Sequence, residues 1–202
     1  MGNVNDLHEA EGRLTGRVAS CHHPLVRWAR PVVGEAAEHT KLWWAIAVTL
    51  AATGGSRGRK AAVAGLTAMG VGELLSNGVI KPLSRRRRPP RELIPHDGVD
   101  DRPDSSSFPS GHTAAAVAFT TAVALTWPRA GALCAVPAAL VAAERVHSGA
   151  HYPSDVAAGA ALGAAGACTA RCLLRLKVAM HRSRWWVPAV TIRSERDPSW
   201  DR

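Results

Sequence analysis

Five apolar runs rich in alanine and glycine leave this chain few folds other than a packed set of helices: Leu42–Gly55, Ala61–Ile80, His112–Trp127, Ala130–Ala143 and Val156–Ala170. A helix that crosses a bilayer needs about 20 apolar residues. Only Ala61–Ile80 reaches that length, and it contains Glu73. The shorter runs also suit the core helices of a soluble bundle. Three features favour the membrane. Small residues dominate the runs, and small residues let helices approach closely in lipid. Trp43, Trp44, Trp127, Trp185 and Trp186 stand at run ends, as an interfacial belt does. Five spans put Arg57, Arg59 and Lys60 on the same side as Arg171, Arg175, Lys177, Arg182 and Arg184, the cytoplasmic side by the positive-inside rule. The expectation is an all-α integral membrane helical bundle of about five transmembrane helices in the cell membrane. Residues 1–41 form a polar arm with an amphipathic helix around Leu25–Val33. Residues 42–176 form the membrane-embedded domain, and residues 177–202 a basic tail that frays after Ile192.

The net charge is +9, most of it arginine. Arginine forks onto phosphate, where lysine is a point charge. The arginines are scattered or gathered in short motifs and no nucleic-acid-binding motif is present, so a lipid bilayer or an anionic lipid head group is the expected partner, not nucleic acid. Residues 1–20 carry no apolar stretch of a signal peptide, so export is expected to use internal spans. The cysteines, Cys21, Cys134, Cys168 and Cys172, form no C-x-x-C pair, and neither a metal nor a disulfide framework is expected.

The five-span order puts two polar loops on one face, opposite the cytoplasmic side: Lys81–Gly111 and Glu144–Ser154. The first carries seven basic residues, against the positive-inside rule, which makes sense if several of them hold phosphate. Pro109-Ser110-Gly111-His112 opens an apolar helix, where free N–H groups and the positive dipole end receive anions. By itself this is also a plain helix cap. Arg145, His151 and Asp155 surround Pro153, a residue suited to a first helical turn. An aspartate there can accept a hydrogen bond from one histidine nitrogen, fixing the tautomer and leaving the other nitrogen to attack; it can equally cap the helix. Lys81 and Arg88 bracket a run of arginines that alone reads as a juxtamembrane patch. Pro89-Pro90 stiffens the chain after Arg88. Glu73 and Asn77 lie four apart, so on an α-helix they share a face, which should turn into the bundle. His147 is expected to be a loop or interface histidine.

Taken together, Lys81 to Arg88-Pro89, Pro109-Ser110-Gly111-His112 and Arg145 to His151 to Asp155 resemble the three-part signature of the phosphatidic acid phosphatase type 2 superfamily, which includes lipid phosphate phosphatases and vanadium haloperoxidases. The likeness runs from Lys81 to about Gly163. It departs at Glu144, where the family usually has serine; a carboxylate there weakens Arg145 or steers its side chain. The resemblance implies His151 as the nucleophile that forms a phosphohistidine, Asp155 as its orienting partner and His112 as the general acid. It implies Lys81, Arg88 and Arg145 as ligands of the phosphoryl oxygens, helped by Ser110 and Gly111, with no metal and no cofactor. The implied reaction is hydrolysis of a phosphate or pyrophosphate from a membrane lipid, polyprenyl or glycerolipid, at the extracytoplasmic face. A soluble acid phosphatase or vanadate-dependent haloperoxidase, and a membrane protein that only binds anionic lipid, are the alternatives.

Overall fold

A computed structural model describes residues 4–21, 32–36, 40–95 and 105–183. The helices are α1 (Val4–Ala19), α2 (Lys41–Thr53), α3 (Gly55–Leu83, π-helical over Leu74–Ile80), α4 (Gly111–Thr126), α5 (Pro128–His147) and α6 (Pro153–Ser183). No strand occurs among the described residues. By length and composition α3, α5 and the Pro153–Leu176 part of α6 can cross a membrane; α2 and α4 are shorter apolar helices. Together these five are the five apolar runs. Large apolar side chains stand on their outer surfaces: Val63 of α3 is 57% exposed, Leu133 of α5 76% and Val136 61%. A fold made for water does not leave such residues outward on several neighbouring helices.

The helices alternate in direction, and α3, α4 and α6 pack against one another at the centre, with α5 on α4 and α2 on α3. In lipid no hydrophobic force drives helices together, so close packing must hold them. Gly159 and Gly163, four apart on α6, supply it. A Cβ at Gly159 would strike the Ser110 carbonyl, and one at Gly163 the Ala114 carbonyl. The missing methyl groups bring the start of α6 onto the start of α4, and this contact sets the spacing of the functional site. Midway along the bundle Trp43 packs on Phe119, ring centroids 5.3 Å apart, in a core shared by α2, α3, α4 and α5.

Three expectations change. Trp43 is not part of an interfacial belt: it is buried, while Trp44 is 53% exposed. Successive helical residues point about 100° apart, so only one of such a pair can face outward. Glu73 and Asn77 do not both turn into the bundle: Glu73 is half-buried and Asn77 exposed, where Leu74–Ile80 follows a π-helical path with i→i+5 bonding. The amphipathic segment around Leu25–Val33 lies almost wholly outside the described residues, as does the tail beyond Ser183. The described helix of the arm is instead α1. It is not a separate appendage: Thr15 is fully buried, and Ala19 packs with Ile94 and Leu93 of the long polar loop. The last helix runs past the apolar run that ends at Ala170, to Ser183, with its candidate span ending at Leu176.

Candidate active site

Backbone hydrogen bonds stitch the three motifs into one structure. The Ser110 N–H donates to the Asp155 carbonyl (3.0 Å), the Ser107 N–H to the Arg86 carbonyl (3.0 Å), and the His151 N–H to the Arg145 carbonyl (3.0 Å). Arg88 Nη1 donates to the Ala150 carbonyl at 2.7 Å. Each motif is thereby tied to another at an unexposed position, where an unpaired amide or carbonyl is costly.

His151 is the centre of this arrangement. It is 3% exposed, and its Nδ1 lies 2.6 Å from the Ser107 carbonyl. A carbonyl only accepts, so Nδ1 carries the proton and Nε2 keeps its lone pair. Burial, and then the charge of Arg88, hold the imidazole well below its ordinary pKa; Lys81 and Arg145 push the same way, and the Ser107 carbonyl opposes them. The ring is therefore neutral while three cations surround it. A neutral nucleophile in a strongly positive field is suited to an anionic electrophile.

The acceptor at Nδ1 differs from the sequence expectation. The Asp155 carboxylate was expected to hold a His151 nitrogen, yet its Oδ2 stands 3.9 Å from Nδ1. Asp155 is fully buried and its oxygens are engaged elsewhere: Oδ1 takes Arg86 Nη1 at 2.6 Å and Oδ2 takes the Tyr152 N–H at 2.8 Å. Asp155 thus fixes the loop carrying His151 and faces the ring without a direct bond.

Arg86 is the residue that sequence reasoning missed. Its guanidinium bonds Asp155 and Ser154 Oγ, pairs with Glu11 of α1, and lies 4.5 Å over the Tyr152 ring. Burial alone would lower its pKa, but the carboxylates of Asp155 and Glu11 outweigh that and raise it. Glu11 also accepts the Ser154 N–H at 3.2 Å. Burial pushes its carboxyl upward, and the bonds from Ser154 and Arg86 more than reverse this. What singles out Arg86 is the backbone and not the residue type. Residues 84–90 have no helical bonding, and along Arg85–Arg88 exposed and half-buried residues alternate. An extended chain turns alternate side chains to one side, so Arg86 accompanies Arg88 inward. Glu11 is not singled out in this way, because its partner lies 75 residues away.

The remaining expected residues fall around this centre. Ser110 caps α4: its Oγ accepts from the Thr113 N–H at 3.5 Å and lies 3.0 Å from Thr113 Oγ1. Gly111 and His112 are the first two residues of α4, where the helix presents free N–H groups. Gly111 has a second reason to lack a side chain, since a Cβ would strike the Asn77 amide. The π-helical stretch of α3 delivers Asn77 there, and such stretches often mark functional positions. Lys81 is half-buried at the loop end of α3. Arg145 is clasped by Glu144, whose Oε2 meets Nε and Nη2. That is the edge a guanidinium offers to a phosphate, so Glu144 steers Arg145 and competes for it. His147 is buried, with Nε2 3.2 Å from the Cys21 carbonyl at the end of the arm.

Comparison with known proteins points the same way. Solved structures with this fold include the transmembrane PAP2-type phosphatidylglycerolphosphate phosphatase from Bacillus subtilis (TM-score 0.64, 21% identity, 86% of this chain and 88% of that one). LpxE of Aquifex aeolicus is a second (TM-score 0.61, 21% identity, 78% and 92%). Among curated proteins, decaprenylphosphoryl-5-phosphoribose phosphatase of Mycobacterium tuberculosis is 43% identical over 101 residues, 47% of this chain and 53% of that protein. Lipid A 1-phosphatase of Rhizobium johnstonii is 45% identical over 78 residues, 36% of this chain and 32% of that protein. The chain therefore spans about half the length, or less, of these curated relatives. The family model for the PAP2 superfamily matches residues 61–178, which hold all three motifs and more than half of the chain. With the motifs gathered at one end of the bundle and the family model covering them, the chain belongs to the PAP2 superfamily.

Proposed function

We propose that this protein is a metal-independent lipid phosphate phosphatase of the cell membrane, working through a phosphohistidine on His151. The observation that carries the proposal is a buried, neutral imidazole with Nε2 unprotonated, within the field of Arg88, Lys81 and Arg145. In the first step Nε2 attacks phosphorus, the P–N bond forms and the bond to the lipid oxygen breaks. His112 gives its proton to that oxygen. In the second step His112 takes a proton from water, which attacks the phosphohistidine, releasing inorganic phosphate and restoring both rings. Lys81, Arg88 and Arg145 hold the phosphoryl oxygens with the Ser110 hydroxyl and the Gly111 N–H. Asp155 keeps the His151 loop in place.

The largest share of such a rate enhancement comes from preorganised charge. Uncatalysed phosphate monoesters are slow enough that the best enzymes reach about 10²¹-fold. Protonation by His112 adds roughly 10²–10⁴. The donor set also suits a reaction without a bound cation. Hard cations need oxygen ligands, and here arginine and lysine meet the phosphate charge. The active site opens at one end of apolar helices, which fits a phosphate on a lipid, polyprenyl or glycerolipid. The relatives named as lipid phosphatases agree in substrate class. The cationic opposite end of the bundle supports an extracytoplasmic site.

The test is phosphate release from a panel of lipid phosphates by the detergent-solubilised chain. The expected result is turnover that persists in EDTA and falls about 10³-fold or more in His151→Ala. A strict need for Mg²⁺, or lipid binding without turnover across the panel, overturns the proposal.

A further inference from the structure

The far end of the bundle carries a second cationic feature, unrelated to the chemistry above. A cavity of about 840 Å³ opens between α3, α4 and α6, with Val63 and Leu125 in its walls and Arg59, Lys60, Arg171 and Arg175 among its lining residues. That volume is within the range of small-molecule sites. Its cations come from the start of α3 and the second half of α6. Lys81 on α3 and Asp155 on α6 are about 24–33 Å away along the same helices, at 1.5 Å per residue. This is about one hydrocarbon thickness, so the cavity and the phosphatase site lie at opposite interfaces.

Among the described residues this charge has no acidic counterpart. The sequence contains no acid in residues 41–72, 111–143 or 156–176, the stretches that build this end. Among the described residues no salt bridge involves these four cations. Elsewhere the protein pairs its cations closely, as at Arg86 and Arg145. Cations around an apolar-walled opening at an interface match an amphiphile with an anionic head and hydrocarbon chains.

We infer that this cavity binds an anionic phospholipid, the phosphodiester head group among Arg59, Lys60, Arg171 and Arg175 and an acyl chain along Val63 and Leu125. Each basic residue near a membrane surface contributes about fivefold to such binding, and a pair about 30-fold. The site does not depend on catalysis, so it stands or falls separately from the phosphatase proposal.

The experiment is native mass spectrometry of the full chain in detergent with phosphatidylglycerol and phosphatidylcholine at equal concentration. Wild type should retain phosphatidylglycerol about tenfold or more over phosphatidylcholine. Arg171→Gln/Arg175→Gln should bind it about 30-fold more weakly, and Arg59→Gln/Lys60→Gln, on the other wall, should do the same by an independent route. Arg129→Gln, at the same end but outside the cavity, should change binding less than twofold. Inorganic phosphate at 10 mM should not displace the lipid. Equal retention of the two lipids, a loss in Arg129→Gln matching the per-charge loss in the cavity variants, or displacement by phosphate each overturns the inference.

Discussion

Replacing Arg86 by methionine removes a charge from beside Asp155 while nearly preserving volume. Asp155 has no exposure and Arg86 only 19%, with 2.6 Å between them. Breaking a buried pair by removing one partner costs about 3–5 kcal/mol, because the other charge stays buried. Asp155 keeps the Tyr152 N–H and Arg86 is partly solvated. The cost therefore belongs at the low end, about 3 kcal/mol. For a chain of this size that is a fall in Tm of about 6–12 °C. Arg85→Met is the internal control: Arg85 is exposed, and its loss should stay within about 0.5 kcal/mol. Thermal unfolding in detergent, followed by tryptophan fluorescence, compares the two. Glu11→Gln should fall between them in wild type and cost almost nothing in the Arg86→Met background, since its charged partner is then gone. If Arg85→Met and Arg86→Met unfold within about 2 °C of each other, the reasoning is wrong.

Three further predictions concern charge at the active site. Burial and then Arg88 depress the His151 pKa, so the acid limb of kcat/KM should lie below pH 6.5, the ordinary histidine value. Arg88→Gln removes a depressing charge and should move that limb to higher pH; a limb that stays put or moves lower refutes the assignment. The same depression means that the stability due to His151 is complete above about pH 6.5 and is lost as pH falls towards the folded pKa, because the unfolded chain binds the proton first. Glu144→Ser frees the Nε and Nη2 edge of Arg145 and removes an anion beside the phosphate, so KM should fall about 5–10-fold; a rise in KM shows that Glu144 is needed to orient Arg145.

Much of this protein is legible in its sequence, and the part that is not has a physical reason. The five apolar runs coincide with five helices because apolar composition over a dozen residues fixes an element regardless of its neighbours. The motif residues around His151 were legible because their spacing is local to each helix start. Arg86 was hidden inside a run of four arginines whose identity says nothing about direction; the extended backbone chooses its side. Glu11 and Ser107 reach the active site only through tertiary contacts, the first from an arm that reads as merely polar. Trp43 was misplaced because a tryptophan at a helix end looks the same in sequence whether it turns outward like Trp44 or inward onto Phe119. Asn77 stands against Gly111 through a tertiary contact that helical spacing does not report.

The most direct measurement is a rapid quench of the chain with a ³²P-labelled lipid phosphate, followed by peptide mapping under alkaline conditions that preserve a P–N bond. The account predicts an acid-labile label on the peptide containing His151, approaching one phosphate per chain at most, and none in His151→Ala. A label on any other residue, or phosphate released in a single turnover with no labelled chain at any time, contradicts it.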